Sequence, residues 1–314
     1  MTPIAFETMA LELDHFERIA VVRNAAWPDH PLAAAELLYD AGVLRQKKDL
    51  RCALAVDDGV DVAALWLVHD GRAEHWSVDV MVRPEARTSA VGSALIDEAE
   101  RMLSDVEVRS LTVTFHDRLL PALNCLADRS FTQVVSEPIS ILDMRRYEPE
   151  SFVADEHTEL RVETLEALTS DPGWRRTLYE MRLEIDPDQS PDEPFIAQDF
   201  ETFVARRLGN PLFRAENWLI ALDGETWAGL TGIASTTATT GHAQVCFTGV
   251  RRPWRRRGLA RALKVQVLRQ LKERGFRAVV TENADSNPLV SLNARLGFVS
   301  GGCWLIWRRG DIHA

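Results

Sequence analysis

The chain has 314 residues, 46% of them hydrophobic, and 36 Lys and Arg residues against 47 Asp and Glu, which gives a formal net charge of −11. These values are typical of a soluble globular protein with one large or two medium domains, and they exclude wholesale disorder. The negative charge disfavours nucleic acid as a partner. No apolar run suits a membrane helix and the first residues do not resemble a secretory leader, so no membrane partner is expected.

The four cysteines, Cys52, Cys125, Cys246 and Cys303, are scattered along the chain without a C-x-x-C spacing. This distribution excludes the usual patterns of a disulfide framework and of a zinc site, so we predict no metal. It also favours a reducing compartment, and we expect the protein to be cytoplasmic.

An internal repeat divides the chain. The segment Val82–Gly92 aligns with Val250–Ala260, 168 residues further on, and Arg129–Phe131 aligns with Leu296–Phe298. A repeat of this length indicates two copies of one supersecondary plan. We therefore predict two domains, residues 1–147 and residues 158–314, joined by a linker around residues 145–157.

The predicted elements of the two halves follow the same order. In the first half they are a strand near residue 10, helices over 15–27 and 32–40, strands over 51–56, 62–68 and 74–82, a helix over 89–103, a strand over 110–115, a helix over 119–128 and a strand over 139–144. In the second half they are a strand near residue 160, helices over 165–185 and 196–208, strands over 218–222, 227–234 and 243–250, a helix over 260–274, a strand over 278–281, a helix over 289–296 and a strand over 303–307. Each half is predicted to be α/β (α+β), with a mixed, mostly antiparallel sheet flanked by helices.

The segment TGVRRPWRRRGLARALK, residues 248–264, lies between a predicted strand and a predicted helix. Five of the seven residues from 251 to 257 are Arg, Gly258 can adopt a positive φ, and Ala260 is small. The free N–H groups of a helix start, the helix dipole and arginine side chains together favour phosphate. A basic surface loop with a glycine turn is the alternative, and the P-loop and dinucleotide-binding patterns are both absent.

This segment resembles the acetyl-CoA-binding motif [QR]-x-x-G-x-[GA] of the GNAT superfamily of acyltransferases, here Arg255, Gly258 and Ala260. The segments 281–298 and 185–195 also resemble a bacterial subfamily of these enzymes. The resemblance implies two tandem GNAT-like domains, of which only the C-terminal one has an intact motif.

The cofactor implied by the resemblance is acetyl-CoA, as a cosubstrate. Its pyrophosphate would lie on the amides of the loop, its pantetheine arm along the preceding strand, and two asparagines would lie near the pantetheine or the acceptor. Local capping is the alternative role for these asparagines. The implied cofactor-binding residues are Thr248, Gly249, Val250, Arg255, Arg256, Arg257, Gly258, Leu259, Ala260, Asn283 and Asn287.

Acetyl transfer by direct attack of an amine in a ternary complex needs no protein nucleophile. Many GNAT enzymes have a tyrosine acid at the position that Asn293 occupies here, so Asn293 and Glu282 are the predicted catalytic residues, with His242 and Asp285 as alternative bases. Cys246 is expected to be a buried structural thiol rather than a nucleophile.

Six acidic residues between positions 180 and 193 suggest a mouth that attracts a cationic amine, although a solvated loop is an equal alternative. In the first copy Arg87 is kept, but Ala90 replaces Gly258. An alanine at a position with positive φ would be strained, so weak or absent CoA binding is expected there.

The leading hypothesis is an acetyl-CoA-dependent N-acetyltransferase acting on a small-molecule amine or amino sugar, as a monomer or homodimer. The alternatives are a catalytically weak CoA-binding sensor or scaffold, and an acetyltransferase similar to mycothiol synthase, from which the missing tyrosine departs. A nucleic-acid module that uses the arginine run is disfavoured by the net charge.

Overall fold

The computed structural model describes residues 4–45, 49–69, 74–148, 160–188, 195, 197–210, 212–234, 241–284 and 286–310. The chain divides into two compact units. The first unit consists of residues 1–137 and 302–314, and the second unit consists of residues 138–301.

The first unit follows the predicted order of elements. Its elements are β1 (Ala5–Met9), α1 (Leu13–Ala26), α2 (Ala34–Arg45), β2 (Leu50–Asp57), β3 (Val60–His69), β4 (His75–Val82), α3 (Ser89–Met102), β5 (Ser110–His116), α4 (Cys125–Asp128) and the first part of β6 (Thr132–Asp143). Its core packs the apolar stripe of α3, including Leu95, Ile96 and Ala99, against the inward side chains of the strands.

The second unit repeats this order. Its elements are the end of β6, β7 (Arg161–Thr164), α5 (Leu165–Leu168), α6 (Trp174–Ile185), α7 (Phe200–Phe203), β8 (Trp218–Asp223), β9 (Thr226–Ala234), β10 (His242–Val250), α8 (Leu259–Glu273), β11 (Ala278–Glu282), α9 (Leu289–Arg295) and the start of β12 (Val299–Gly310). Leu263, Val267 and Leu271 of α8 are buried in its core.

The two units have the same sheet plan. In the first unit, β1 to β4 pair antiparallel in sequence order, β4 and β5 pair parallel, and β5 pairs antiparallel with β12. In the second unit, β7 to β10 pair antiparallel, β10 and β11 pair parallel, and β11 pairs antiparallel with β6. This confirms the predicted fold class, a mixed and mostly antiparallel sheet with helices in each repeat.

The boundaries of the units differ from the predicted residues 1–147 and 158–314. Residues 302–310 of β12 belong to the first unit, where they pair with β5 from Trp304↔His116 to Gly310↔Ser110. Residues 138–143 of β6 belong to the second unit, where they pair with β11. A repeat in the sequence fixes the order of strands but not which of two similar sheet edges receives the last strand. The predicted linker residues 149–157 lie outside the described residues.

Two predicted helices are interrupted. The helix predicted over 165–185 is divided into α5 and α6, because Asp171-Pro172-Gly173 forms a turn in which the Gly173 N–H donates to Asp171 Oδ1 at 2.8 Å. The helix predicted over 119–128 is reduced to a 3-10 turn over Asp117–Leu119 and the four residues of α4. Among the described residues, no helix is long and apolar enough to cross a membrane.

Candidate active site

In the second unit, β10 and β11 pair along only part of their lengths. The parallel pairing joins residues 242–245 to residues 278–281 and then ends. A register irregularity between Val245 and Phe247 lies at this point, and beyond it β10 pairs with β9 as far as Val250. Within the described part of the chain, the other edge of residues 247–250 has no strand partner, so the two parallel strands enclose an open gap.

Backbone directions identify the groups that face this gap. The Arg251 N–H donates to a β9 carbonyl at 2.9 Å. Because successive residues of a strand direct their N–H groups to opposite sides, the Gly249 N–H faces β9, and those of Thr248 and Val250 face the gap. The Val250 carbonyl also faces away from β9, because it accepts from Arg255 Nε at 2.9 Å. The gap therefore offers backbone donors on alternate residues.

The strand is held tightly where it borders the gap. A Cβ atom on Gly249 would lie 2.4 Å from the Ile185 side chain of α6 and 2.8 Å from the Phe247 ring, so only glycine fits between them. The Thr248 hydroxyl lies 2.9 Å from the Thr231 hydroxyl of β9, and both residues are buried. These contacts fix the three predicted pantetheine-binding residues in one rigid strand.

The loop after β10 has the geometry of an anion site. Arg256 and Gly258 have φ values of 60° and 75°, so both adopt the left-handed conformation. Gly258 precedes α8 directly, and no side chain caps the first turn of that helix. The backbone N–H groups of Leu259 and Ala260 therefore belong to a helix start with a positive dipole end, which favours an anion. The Leu259 side chain is buried and anchors this turn.

Three arginines of the loop form ion pairs with acidic residues at the end of α6. Arg251 Nε lies 2.6 Å from Glu184, and Arg255 Nη2 lies 2.5 Å from Asp188. Arg252 lies 3.6 Å from the same Asp188 carboxylate, whose pKa is lowered, chiefly by its hydrogen bond from Arg255. The predicted phosphate ligand Arg255 thus holds the loop in shape.

Arg256 and Arg257 differ from these three. Both side chains are exposed, and within the described chain no hydrogen bond or ion pair engages either of them. They are therefore the two side chains of the run with charge available for a phosphate.

The acidic segment between residues 180 and 193 is largely neutralised. Glu184 and Asp188 pair with the loop, and Asp186 pairs with Arg182 at 2.6 Å. Asp192 and Glu193 lie outside the described residues. Of the acids that the structure describes there, Glu180 alone is exposed. Such pairing weakens the field that a cationic acceptor would feel.

A buried lysine is joined to two of the predicted site residues. Lys264 of α8 is 1% exposed, and its Nζ donates to Asn293 Oδ1 at 2.5 Å. The Asn293 Nδ2 in turn donates to Asn283 Oδ1 at 2.9 Å. Burial lowers the pKa of Lys264 to about 7. Both ends of the Asn293 amide are thus used within the protein, so Asn293 positions Asn283, which follows β11 at the gap.

Lys264 was not predicted as a site residue. The helical spacing of α8 places position 264 next to Leu263 and one turn before Leu268, on the apolar face of the helix. A lysine on that face could have indicated a buried amine at the site. The hydrogen bonds that join Lys264 to Asn293 and Asn293 to Asn283 depend on how α8 and α9 pack together. The local sequence pattern holds no information about that packing.

The remaining predicted residues are dispersed. Glu282 ends β11 opposite Ile139 and is half-buried. Asn287 is buried, and its Oδ1 accepts from the Leu289 N–H at 2.9 Å, which is the capping role. The alternative base His242 lies at the other end of β10, eight residues before Val250. Asp285 lies outside the described residues.

Cys246 lies at the irregularity of β10. The residue is exposed, contrary to the expected burial, and it is the one that the register irregularity leaves without a pairing partner on β9. Its sulfur nevertheless donates to Gly232 O at 3.3 Å, and the protein packed around the sulfur raises the pKa of the thiol to about 11. A protonated thiol is a poor nucleophile at neutral pH.

The first unit keeps one part of this arrangement. Arg87 Nε donates to Val82 O at 3.3 Å, as Arg255 does to Val250, at positions 168 residues apart. The strain expected at Ala90 is absent, because α3 already begins at Ser89 and Ala90 lies within it. The Thr88 hydroxyl accepts from the Val91 N–H at 3.3 Å, so a side chain occupies the helix start.

The chain is similar in sequence and in structure to known proteins. Residues 175–298 match the model of the acetyltransferase (GNAT) family. A search among curated protein sequences finds no match. The structure is similar to that of a GCN5-related N-acetyltransferase from Sphaerobacter thermophilus, with 22% identity, 97% of this chain and 95% of that chain covered, and a TM-score of 0.69.

Two further solved structures cover the whole length of the chain. A tandem GNAT protein from the clavulanic acid biosynthesis pathway has 20% identity, 98% coverage of both chains and a TM-score of 0.74. An acetyltransferase of the GNAT family from Colwellia psychrerythraea has 13% identity, covers 98% of this chain and 100% of its own, and has a TM-score of 0.61. At these identities the likeness shows the fold alone. The family match covers residues 175–298, and the likeness over the whole chain shows a tandem GNAT fold.

Proposed function

We propose that the second unit is an acetyl-CoA-dependent N-acetyltransferase that acts on a primary amine. One observation carries this proposal: the gap between β10 and β11 leads directly to a helix start whose loop has two left-handed residues, Arg256 and Gly258. The free backbone donors of the strand edge suit the extended, amide-containing arm of the cosubstrate. The adjoining anion site suits its pyrophosphate.

The residues of this unit have distinct roles in binding acetyl-CoA. The Leu259 and Ala260 amides and the Arg256 and Arg257 side chains hold the pyrophosphate. The gap-facing backbone of Thr248 and Val250 pairs with the pantetheine arm. Arg255 and Gly249 keep loop and strand in this shape.

The reaction is a direct attack of the neutral amine on the thioester carbonyl. A C–N bond forms, the C–S bond breaks, the proton of the amine passes to the base, and the departing thiolate takes up a proton from solvent. The Val250 N–H faces the gap and serves as a donor to the developing oxyanion. Glu282, at the end of β11, is the proposed base, and holding the two substrates in one cleft contributes much of the rate.

Asn283 takes the place of an acid on the leaving-group side. Its carbonyl oxygen accepts from Asn293, which fixes the orientation of the amide and leaves its NH₂ group to donate. An amide donor stabilises a thiolate by a hydrogen bond but does not transfer a proton. Lys264 and Asn293 are accordingly positioning residues in this mechanism.

A CoA-binding sensor is the second candidate, because Asn293 stands where a tyrosine acid is expected and is buried.

Binding of nucleic acid is disfavoured, since Arg251, Arg252 and Arg255 are ion-paired. The four cysteines are free thiols, which agrees with the proposed cytoplasmic location.

The test is calorimetric titration of acetyl-CoA into the wild type, Gly258→Glu and Gly275→Glu. Both glycines have φ values near +75° to +79°, and they flank opposite ends of α8, so the two substitutions impose similar backbone strain. The wild type should bind one acetyl-CoA per chain. Gly258→Glu should lower the affinity for acetyl-CoA by at least about 100-fold, because it adds a negative charge and bulk at the anion site. Gly275→Glu should bind acetyl-CoA with the affinity of the wild type.

Equal affinities in the two variants would refute the loop assignment. Release of free thiol with a panel of amines then separates enzyme from sensor. Tight binding without turnover on any amine would favour the sensor.

A further inference from the structure

A cavity of about 100 Å³ lies between α6 and α7 in the second unit. The residues of its wall that bear on its chemistry are Tyr179, Arg182, Asp186, Gln198, Phe203 and Arg207. Tyr179 and Arg182 of α6 and Asp186, which caps its C-terminus, recur every three or four residues and so lie on one face of the helix. This face also contacts the site, because the Arg182 guanidinium lies 3.6 Å from the centre of the Phe247 ring of β10.

The first charge of the cavity is already balanced. Arg182 is 7% exposed and donates to both carboxylate oxygens of Asp186, at 2.6 and 3.2 Å. Burial lowers the pKa of Arg182, and the nearby Arg207 acts in the same direction, while Asp186 opposes both. The carboxylate of Asp186 is thus engaged by the buried guanidinium.

The second charge, that of Arg207, has no counterpart among the described residues. Arg207 lies in a single π-helical turn, Val204–Leu208, that continues α7. Its side chain is exposed, and nowhere in the described chain does it form a hydrogen bond or an ion pair. The described walls of the cavity therefore carry one excess positive charge, in a chain whose net charge is −11.

The remaining polar groups give this charge a rigid setting. The Tyr179 hydroxyl donates to the Gln198 carbonyl at 2.7 Å, and its ring packs against Phe203 with centroids 5.4 Å apart. The Arg182 guanidinium also lies 3.6 Å from the centre of the Phe247 ring, directly after the irregularity of β10. The cavity therefore lies close to the start of the gap in which the thioester would be attacked.

We propose that this cavity is the acceptor subsite of the enzyme and that Arg207 binds an anionic group, a carboxylate or a phosphate, on the amine that is acetylated. The inference rests on the proposed acetyl transfer and names the substrate class of that site. A guanidinium pairs with either anion through two parallel hydrogen bonds, and this geometry also directs the rest of the acceptor. An acceptor of this class differs from the cationic amine that the acidic segment alone suggests.

The activity test compares acceptors that differ in one charge. Thiol release is measured with amino acids and their amides, with 2-aminoethyl phosphate and with putrescine, on the wild type and Arg207→Gln. Arg175→Gln is the matched control, because Arg175 is exposed on α6 and lies over the Trp174 ring rather than in the cavity.

The wild type should prefer the anionic acceptors over the amides and putrescine by about 10- to 100-fold in kcat/KM. Arg207→Gln should remove this preference, mainly through KM, and keep the rate with the neutral amides. Arg175→Gln should behave as the wild type. Comparison of the amino acids with 2-aminoethyl phosphate shows whether the anionic group is a carboxylate or a phosphate. Equal turnover of anionic and neutral amines, or a preference for putrescine, would overturn the inference and leave acetyl transfer intact.

A binding test decides the inference even if no amine is acetylated, in which case the proposed function fails separately. Thermal unfolding is followed with succinate or inorganic phosphate, against sodium chloride at equal ionic strength. At least one anion should raise the Tm of the wild type and of Arg175→Gln more than that of Arg207→Gln, since the anion site at Gly258 is present in all three proteins. Equal shifts in all three proteins, or none, would refute an anion subsite at Arg207.

Discussion

Replacing Lys264 by methionine should change how the stability of the protein depends on pH. Burial lowers the pKa of this lysine from 10.5 to about 7. Between these two values the unfolded chain binds a proton that the folded chain does not, so the free energy of unfolding of the wild type rises with pH. The whole shift corresponds to about 5 kcal/mol, and the part between pH 7 and pH 9 to about 2 kcal/mol.

Lys264→Met removes this dependence and also removes the hydrogen bond to Asn293. The Asn293 oxygen then lacks its hydrogen bond, which destabilises the variant by about 1–3 kcal/mol. This loss opposes the stability that the variant gains because it no longer buries an amine. The variant should therefore be more stable than the wild type by about 1–3 kcal/mol at pH 7, and this advantage should shrink by about 2 kcal/mol by pH 9.

Urea unfolding at several pH values from 6 to 9 measures this difference. Lys272→Met is the control, because Lys272 lies on the same helix but bonds to the Met144 and Arg145 carbonyls near the surface. Its difference from the wild type should not vary with pH. A difference between Lys264→Met and the wild type that is constant over the same range would refute a buried lysine with a lowered pKa.

Three further predictions concern the site. Gly249→Ala should destabilise the fold by about 2 kcal/mol or more, because its methyl group meets a side chain of α6 at 2.4 Å, whereas Gly42→Ala, in open space on a helix, should not, and thermal unfolding compares them. Asp188→Asn should weaken acetyl-CoA binding several-fold by releasing Arg255, and unchanged affinity in calorimetry would contradict the proposed anchoring. Cys246→Ser should keep full acetyl transfer in a thiol-release assay, since the thiol stays protonated; loss of activity would point to a covalent acetyl-enzyme.

Features that depend on local pattern could be predicted from the sequence. The strands, the long helix α8 and the loop before it follow from apolar spacing and from Gly258, whose left-handed conformation the structure contains. The break between α5 and α6 was equally local, because Pro172 and Gly173 are strong helix breakers, but the apolar spacing on both sides favoured one long helix.

Features that depend on tertiary packing could not be predicted in the same way. Two similar sheets offer β12 equivalent edges, so the repeat alone did not assign its partner. The sequence shows an arginine run and an acidic segment, but only the fold shows that Glu184 and Asp188 neutralise part of that run. The same holds for Arg207, which has no ion-pair partner among the described residues, because the sequence shows which residues are charged but not which of them pair.

The fate of an isotopically labelled acetyl group tests the central claim most directly. The wild type is incubated with labelled acetyl-CoA and the acceptor panel, and mass spectrometry follows the label while a thiol reagent follows free CoA. Direct transfer predicts that the label appears on the amine nitrogen, with one thiol released for each acetyl group transferred and no label on the protein. Label that accumulates on the protein, or CoA that binds without any transfer to an amine, would contradict the account.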